Sequence, residues 1–568
     1  MKQDFTFTKR YYLAELTISI LTVLVCLIFF PITFDDSYDS LIYNAASLQF
    51  SNYSIIDWHY LFLVGINEPL KFLFNIFPAI NWLVISYVLF CWLSLFVALI
   101  LVKKVIFDKH QGYVLLIWTQ ILISLIFMES FISLTYTRTA LLLCGVSMFG
   151  FFFSPKITFK QASVYTIIFI SGMCFRPEAA IGMLLLISVG HFIYFTSFKR
   201  LIKRSFIPTF IILLVATVFI IDWNHTDRFE KKIEPNIEYI LSTGRVVPIS
   251  EMENKVDSVK YRMATRGMFI DSETLSADFI RDKIATPEYN FKLDKLIRSF
   301  TNIYGFYKYY LFIPAVLIIL IVLSLISDNR LKTFTSIVLF NVFNFLLLSI
   351  IDYKAEIYLR HFLCFQIFTL LICLFYLFRS EIKNSKHTLI TAVLSIILIV
   401  PAFGYTIKNY IENYSSVAEA IDCYKSTMHK IEENFQNRYL LVSLEAYHLF
   451  DKPPSIKNKN YTKNTYLMYD LSTYSIVPSY VRYLSTICNC KAENPVLFLN
   501  WAADNQVLYI GNTNRVEILE QFMKVIYDIE VSFTPISSKK NKHECMKPSV
   551  SNNSIAGSDF EIFQIDLR

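Results

Sequence analysis

A chain of 568 residues that is 55% hydrophobic, with only 13 glycines and 17 prolines, excludes a soluble multidomain protein of ordinary composition and reads as a polytopic membrane protein. Its formal net charge of +7 excludes nothing until the charges are divided between the two sides of a membrane. The abundance of Ile, Phe, Tyr, Lys and Asn resembles coding from an AT-rich bacterial genome.

Apolar runs suited to crossing a bilayer fall near 12–34, 82–102, 113–130, 137–154, 163–175, 179–197, 206–222, 306–326, 333–351, 357–378 and 388–405. They predict a polytopic α-helical membrane protein of about eleven transmembrane helices. Several runs, notably 163–175 and the 113–130/137–154 hairpin, are short and suit tilted or thinned segments. Lys2, Lys9 and Arg10 precede the first run, and Lys103, Lys104 and Lys109 follow the second. Lys156, Lys160, Lys199, Arg200, Lys203, Arg204, Arg330, Lys332, Arg379, Lys383 and Lys386 fall on the same side. Short cytoplasmic loops are enriched in Lys and Arg, so that side is expected to face the cytoplasm of a bacterial inner membrane. The amino terminus is then inside and the carboxyl terminus outside. The first run is too long for a cleaved signal peptide and lacks a small-residue cleavage site.

The expected organisation is a transmembrane module, 1–405, with outer loops 35–81 and 223–305, followed by a small α/β outer domain, 406–568. In the first loop, 37–50 and the stretch from Pro69 through Leu70 to Ile80 read as short helices lying along the membrane, with the proline placed to start the second. The second loop is charged and carries a helix-like run, Ser276 to Ile284. In the tail, Leu440–Leu444, Val496–Asn500, Val507–Ile510, Ile529–Phe533 and Phe560–Ile565 read as strands and Val516–Tyr527 as a helix. Cys423, Cys488, Cys490 and Cys545 lie in that domain, where disulfides form if the space is oxidising. Cys488 and Cys490, separated by one residue, are not expected to pair with each other. The cysteines in the spans read as packing residues, and no zinc-site spacing or phosphate-cradling glycine loop is present.

The ionisable residues gather at the outer ends of the helices. Asp35, Asp36 and Asp39 follow the first span; His59 and Glu68 lie in the first loop; Glu129, Arg138, Arg176 and Glu178 mark later hairpins. Asp352, Lys354, Glu356, Arg360 and His361 mark the last of these. Helix interiors are nearly uncharged, with Glu15 near the inner end and Gln120, Asn341 and Asn344 deeper. An ion-coupled transporter or flippase needs polar groups near the midplane on interrupted helices, which this pattern lacks. An enzyme acting on a lipid-linked substrate needs its charges at one interface, where the headgroup sits. Each charge other than Asp36 reads, taken alone, equally well as a solvated loop residue, so the pattern carries the argument.

A first span, the Asp35-Asp36 pair at the start of the first outer loop, interfacial helices within it, many further spans and an outer carboxyl-terminal domain together resemble the GT-C superfamily of integral-membrane glycosyltransferases. Protein O-mannosyltransferases and lipid A aminoarabinose transferases belong to it. Phe175-Arg176-Pro177-Glu178 and Tyr358-Leu359-Arg360-His361 are similar to segments of bacterial members. The resemblance implies transfer of a sugar from a polyprenyl phosphate or diphosphate to a glycan or glycolipid acceptor, such as lipopolysaccharide, on the outer face. Asp36 is then the expected base for an inverting attack, with Asp35 orienting it or sharing the role. Arg176 and Arg360, with Arg138 and Lys354, are the expected contacts to the donor phosphate; Glu129, Glu178, His361, Glu68 and His59 support them. The resemblance implies no fixed cofactor, since some members need a divalent ion and others do not; Asp35 and Asp36 with a diphosphate are where Mg2+ or Mn2+ would bind. Membrane lipids are partners; nucleic acid is not. An O-antigen polymerase or ligase is a second reading that suits Arg360-His361 but does not need the first-loop aspartates. A non-enzymatic flippase or assembly factor is the third.

Overall fold

A computed structural model describes residues 12–34, 69–107, 113–225, 246–284, 293–379, 395–409, 431–443, 465–468, 484–536 and 561–567, apart from short gaps within them. The described chain is mostly helical. Helix α1 (Leu13–Phe29) leads to a two-residue strand, β1 (Thr33–Phe34), and α2 (Trp82–Phe107) and α3 (Tyr113–Phe127) follow. A single turn, α4 (Glu129–Ile132), a second short strand, β2 (Ser133–Leu134), and α5 (Tyr136–Phe153) come next. Then come α6 (Phe159–Phe175), α7 (Pro177–Phe195), α8 (Phe198–His225), α9 (Lys255–Thr265), α10 (Leu293–Tyr309), α11 (Phe312–Leu325), α12 (Arg330–Ala355) and α13 (Leu359–Arg379).

Six of these, α2, α5, α7, α8, α12 and α13, are long and apolar enough to cross a membrane. The bent pair α10–α11 raises the number to seven if counted as one span. Helices α1 and α6 have 17 residues each, roughly 25 Å at 1.5 Å per residue, less than a typical hydrocarbon core. Helix α8 leaves Phe206, Phe210 and Leu213 more than half exposed, an apolar face suited to lipid rather than water.

The run 306–326 is not one straight helix: α10 and α11 meet at 86°. Pro314 supplies the reason, since its nitrogen cannot donate to the Tyr310 carbonyl and its ring crowds that oxygen. The chain closes the corner instead with Ile313 N–H to Tyr310 O at 2.9 Å. Helix α10 presents Leu293, Ile297 and Tyr304 outward and packs its other face on α12.

Helix α5 is buried along its whole length and is the axis of the bundle. Small residues bring its neighbours close, as in tightly packed membrane helices. A Cβ at Gly145 would fall inside the Phe368 ring of α13, and one at Gly172 of α6 would strike Cys144 of α5. At the end of the bundle away from β1, Glu15 is buried between Lys103 Nζ at 2.8 Å and Gln120 Nε2 at 3.0 Å, stapling α1 to α2 and α3.

In the tail, strands β3 (Tyr439–Val442), β4 (Thr465–Met468), β5 (Leu508–Gly511), β6 (Val531–Pro535) and β7 (Glu561–Leu567) form one sheet, ordered β4-β3-β5-β7-β6. β3 pairs in parallel with β4 and β5, whereas β7 is antiparallel to both β5 and β6. Strand β4 was not expected from the sequence. The stretch 496–500 is helical instead of extended, within α14 (Pro495–Asp504). Pro495 takes the first helical position and Asn494 Oδ1 accepts from Val496 and Leu497 N–H, a start signal that overrides the strand-like Val-Leu-Phe-Leu run. Cys488 and Cys490 are disulfide-bonded, against expectation. Asn489 between them adopts a left-handed φ of 49°, folding the chain so that the thiols converge.

Helix α9 of the second loop packs on α15 (Thr513–Tyr527) of the tail. Buried Arg515 donates to the Arg266 carbonyl at 2.8 Å, and Arg262 reaches Gln521 Oε1 at 3.3 Å. Loop and tail thus share one interface.

Candidate functional site

The site begins with backbone. Strands β1 and β2 pair in parallel, Thr33 with Ser133 and Phe34 with Leu134. Phe34 is the residue before the Asp35-Asp36 pair. Two paired residues gain little by themselves, and closing a long intervening loop costs entropy, so something else must hold this contact.

Arg138 holds β2. It is 1% exposed, and its Nη1 donates to Ser133 O at 2.8 Å and Glu129 O at 2.9 Å. Nη2 reaches Glu129 Oε1 at 3.3 Å, and Tyr310 Oη donates to the same oxygen at 2.5 Å. A buried guanidinium is tolerable only when paired and hydrogen-bonded. Here a carboxylate and two carbonyls do that, and the phenol completes the carboxylate. Thr135 caps α5 by accepting from Thr137 N–H, so the first turn of α5 presents Arg138 to the α4–β2 turn.

Arg176 joins α6 to α7. As the residue before Pro177 it is extended, φ −159° and ψ 104°, which ends one helix and starts the next. Its Nη1 donates to Thr137 Oγ1 at 2.8 Å, and its guanidinium lies 5.7 Å from the Tyr136 ring centre. About one third of the side chain is exposed. Its nearest described carboxylate, Glu178 at 3.7 Å, is itself mostly exposed, so solvent weakens that pair.

Arg360 and His361 open α13. Arg360 is 7% exposed and lies over the Tyr358 ring at 4.5 Å. His361 Nδ1 accepts from Tyr358 N–H at 3.3 Å, which leaves the proton of a neutral ring on Nε2. Arg360, Arg176 and Arg138, from three hairpins, lie within electrostatic range of this imidazole. Cys364 Sγ, one turn on, lies 4.0 Å from the Arg138 carbonyl. Asp352 fixes the α12–α13 corner: Oδ1 accepts from Ile357 N–H at 2.8 Å and Oδ2 from Asn302 at 3.4 Å.

The structure therefore brings together Arg138, Glu129, Arg176, Arg360 and His361. Glu178 stays at the exposed edge. Lys354 is placed only by its backbone, in the last turn of α12. Asp35, Asp36, Asp39, His59 and Glu68 lie outside the described residues. Among the described residues, no three His, Cys, Asp or Glu side chains are grouped to hold a metal ion. Sequence reasoning missed Tyr310, Thr137 and Tyr136. The Tyr-Lys-Tyr-Tyr run ending at Tyr310 reads as an interfacial aromatic belt, and no spacing links it to Glu129. Compared with known proteins, the chain matches no family model, no curated protein and no solved structure.

Proposed function

We propose that this chain is an integral-membrane glycosyltransferase of GT-C type that moves a sugar from a polyprenyl phosphate or diphosphate to a glycan or glycolipid acceptor. One observation carries the reading: Arg138, Arg176, Arg360 and His361 converge at the end of the bundle where β2 holds the strand leading into Asp35-Asp36. A strand held beside these arginines, with two aspartates next in the chain, suits a reaction that needs both a base and an anion-stabilising site. The short apolar helices and the helical residues 395–409 bring the crossings toward about eleven, with the amino terminus inside and this end outside.

In the proposed step, the Asp36 carboxylate takes the proton of an acceptor hydroxyl as its oxygen bonds to the anomeric carbon. The bond from that carbon to the donor phosphate oxygen breaks, and the phosphate leaves as an anion. Arg176 and Arg360 meet that charge; planar guanidinium suits phosphate oxygens. Arg138, already engaged with three protein oxygens, is assigned to holding the site's frame instead. If a divalent ion takes part, the two aspartates and a diphosphate would bind it, lowering the charge on the leaving group.

The test is a transfer assay in membranes containing the full chain, with radiolabelled polyprenyl-phosphate- and polyprenyl-diphosphate-linked sugars, with and without chelator. Label should pass to a glycan or glycolipid fraction, and Asp36→Asn should abolish it at unchanged protein level. Near wild-type transfer by Asp36→Asn overturns the assignment. Polymerisation of lipid-diphosphate glycans that survives Asp36→Asn but not His361→Ala would favour the polymerase reading, for which Arg360-His361 at the head of α13 is the supporting feature.

A further inference from the structure

We propose that Tyr310 is a positioning residue for the acidic pair, acting through Glu129, Arg138 and strand β2. The inference rests on the reading of Asp35-Asp36 as catalytic. Its contacts run in one line. Tyr310 Oη donates to Glu129 Oε1 at 2.5 Å, and that oxygen also accepts from Arg138. Arg138 in turn grips the Ser133 carbonyl, Ser133 and Leu134 pair with Thr33 and Phe34, and the aspartates follow in the chain.

Tyr310 occupies the corner where α10 turns by 86° into α11, so the phenol ties the frame of the acidic pair to the one sharply bent helix pair in the described bundle. Its ring is fully buried, stacks on Phe362 at 6.1 Å and meets Tyr309 and Phe312 edge-on. Those ring contacts do not need the hydroxyl, which has a separate use. A carboxylate that shares one oxygen between a guanidinium and a phenol keeps a fixed orientation, and with it the guanidinium that holds β2. A base displaced by about 1 Å can lose roughly a hundredfold in rate, so slack in β2 would be felt at Asp36.

The test uses the full chain in membranes and the pair Thr33→Cys/Ser133→Cys, nearly isosteric changes at directly opposed residues. With a radiolabelled polyprenyl-phosphate hexose as donor, Tyr310→Phe should lower kcat about tenfold or more while donor KM stays within about twofold. Oxidising the cysteine pair with copper phenanthroline in the Tyr310→Phe background should return kcat to within about threefold of the crosslinked parent, and dithiothreitol should reverse the rescue. Glu129→Gln, which keeps the shape and loses the charge, should behave alike. Unchanged kcat in Tyr310→Phe, or a loss that the crosslink does not restore, overturns the proposal. Where Asp36→Asn stays active or no donor is turned over, the catalytic reading itself fails. The rate of 33–133 disulfide formation then decides the structural link: slower closure in Tyr310→Phe upholds it, and equal rates overturn it.

Discussion

Each end of the helical bundle joins a glutamate to a cation and a neutral hydrogen-bond donor, Glu15 buried and Glu129 partly exposed, yet the two clusters differ in what surrounds them. At one end Glu15 takes Lys103 and Gln120, and the three residues join three helices. At the other, Glu129 takes Arg138 and Tyr310, but Arg138 also grips backbone, and Arg176, Arg360 and His361 gather beside it. A buried ion pair is therefore no sign of function by itself. What separates the ends is that one pair joins helices, whereas the other also holds a strand whose next residues in the chain are two acids.

The largest effect should come from breaking the comparison at its chemical end. Asp36→Asn is expected to lower transfer by about a thousandfold or more, measured as initial rate per mole of folded protein. Glu15→Gln should leave that rate within about threefold, because its neighbours only join helices. Next, Glu15→Ala leaves Lys103 facing a buried site without its carboxylate and should cost about 3–5 kcal/mol, read as a fall in the thermal midpoint in detergent. The triple change Glu15→Leu/Lys103→Met/Gln120→Leu should restore most of that stability, since a packed apolar staple can replace an ion pair. At the chemical end, Arg360→Lys keeps the charge but loses the planar fork; donor KM should rise about tenfold with the midpoint nearly unchanged. The smallest effect is the control: Lys524→Ala removes an exposed partner of Glu530 in the tail and should move neither rate nor midpoint measurably.

Much of the frame was legible because it is written locally. The apolar run at 82–102 is α2, and the Arg176-Pro177 turn read as a hairpin is the joint of α6 and α7, since a proline acts on its immediate neighbours. Local signals were also misread. Pro314 and the Asn494-Pro495 pair each mark a helix start, yet the hydrophobicity around them suggested a straight span and a strand. The site was legible only as a set of charges at one side. That Arg138 faces carbonyls while Arg176 remains partly open is decided by which turn each sits on. Tyr310 was invisible for a different reason: its partner Glu129 is 181 positions away, and no periodicity reaches that far.

The parallel pairing of β1 with β2 also orders the birth of the protein. A ribosome releases Phe34 about a hundred residues before Leu134, and Tyr310 and His361 much later still. A chain that has inserted only its first helices therefore carries the acidic pair with no frame around it. On the proposed function, the machinery comes into being only when α13 enters, so half-made copies in the membrane would be idle, and an early stop in translation would yield an inert protein rather than an unregulated one.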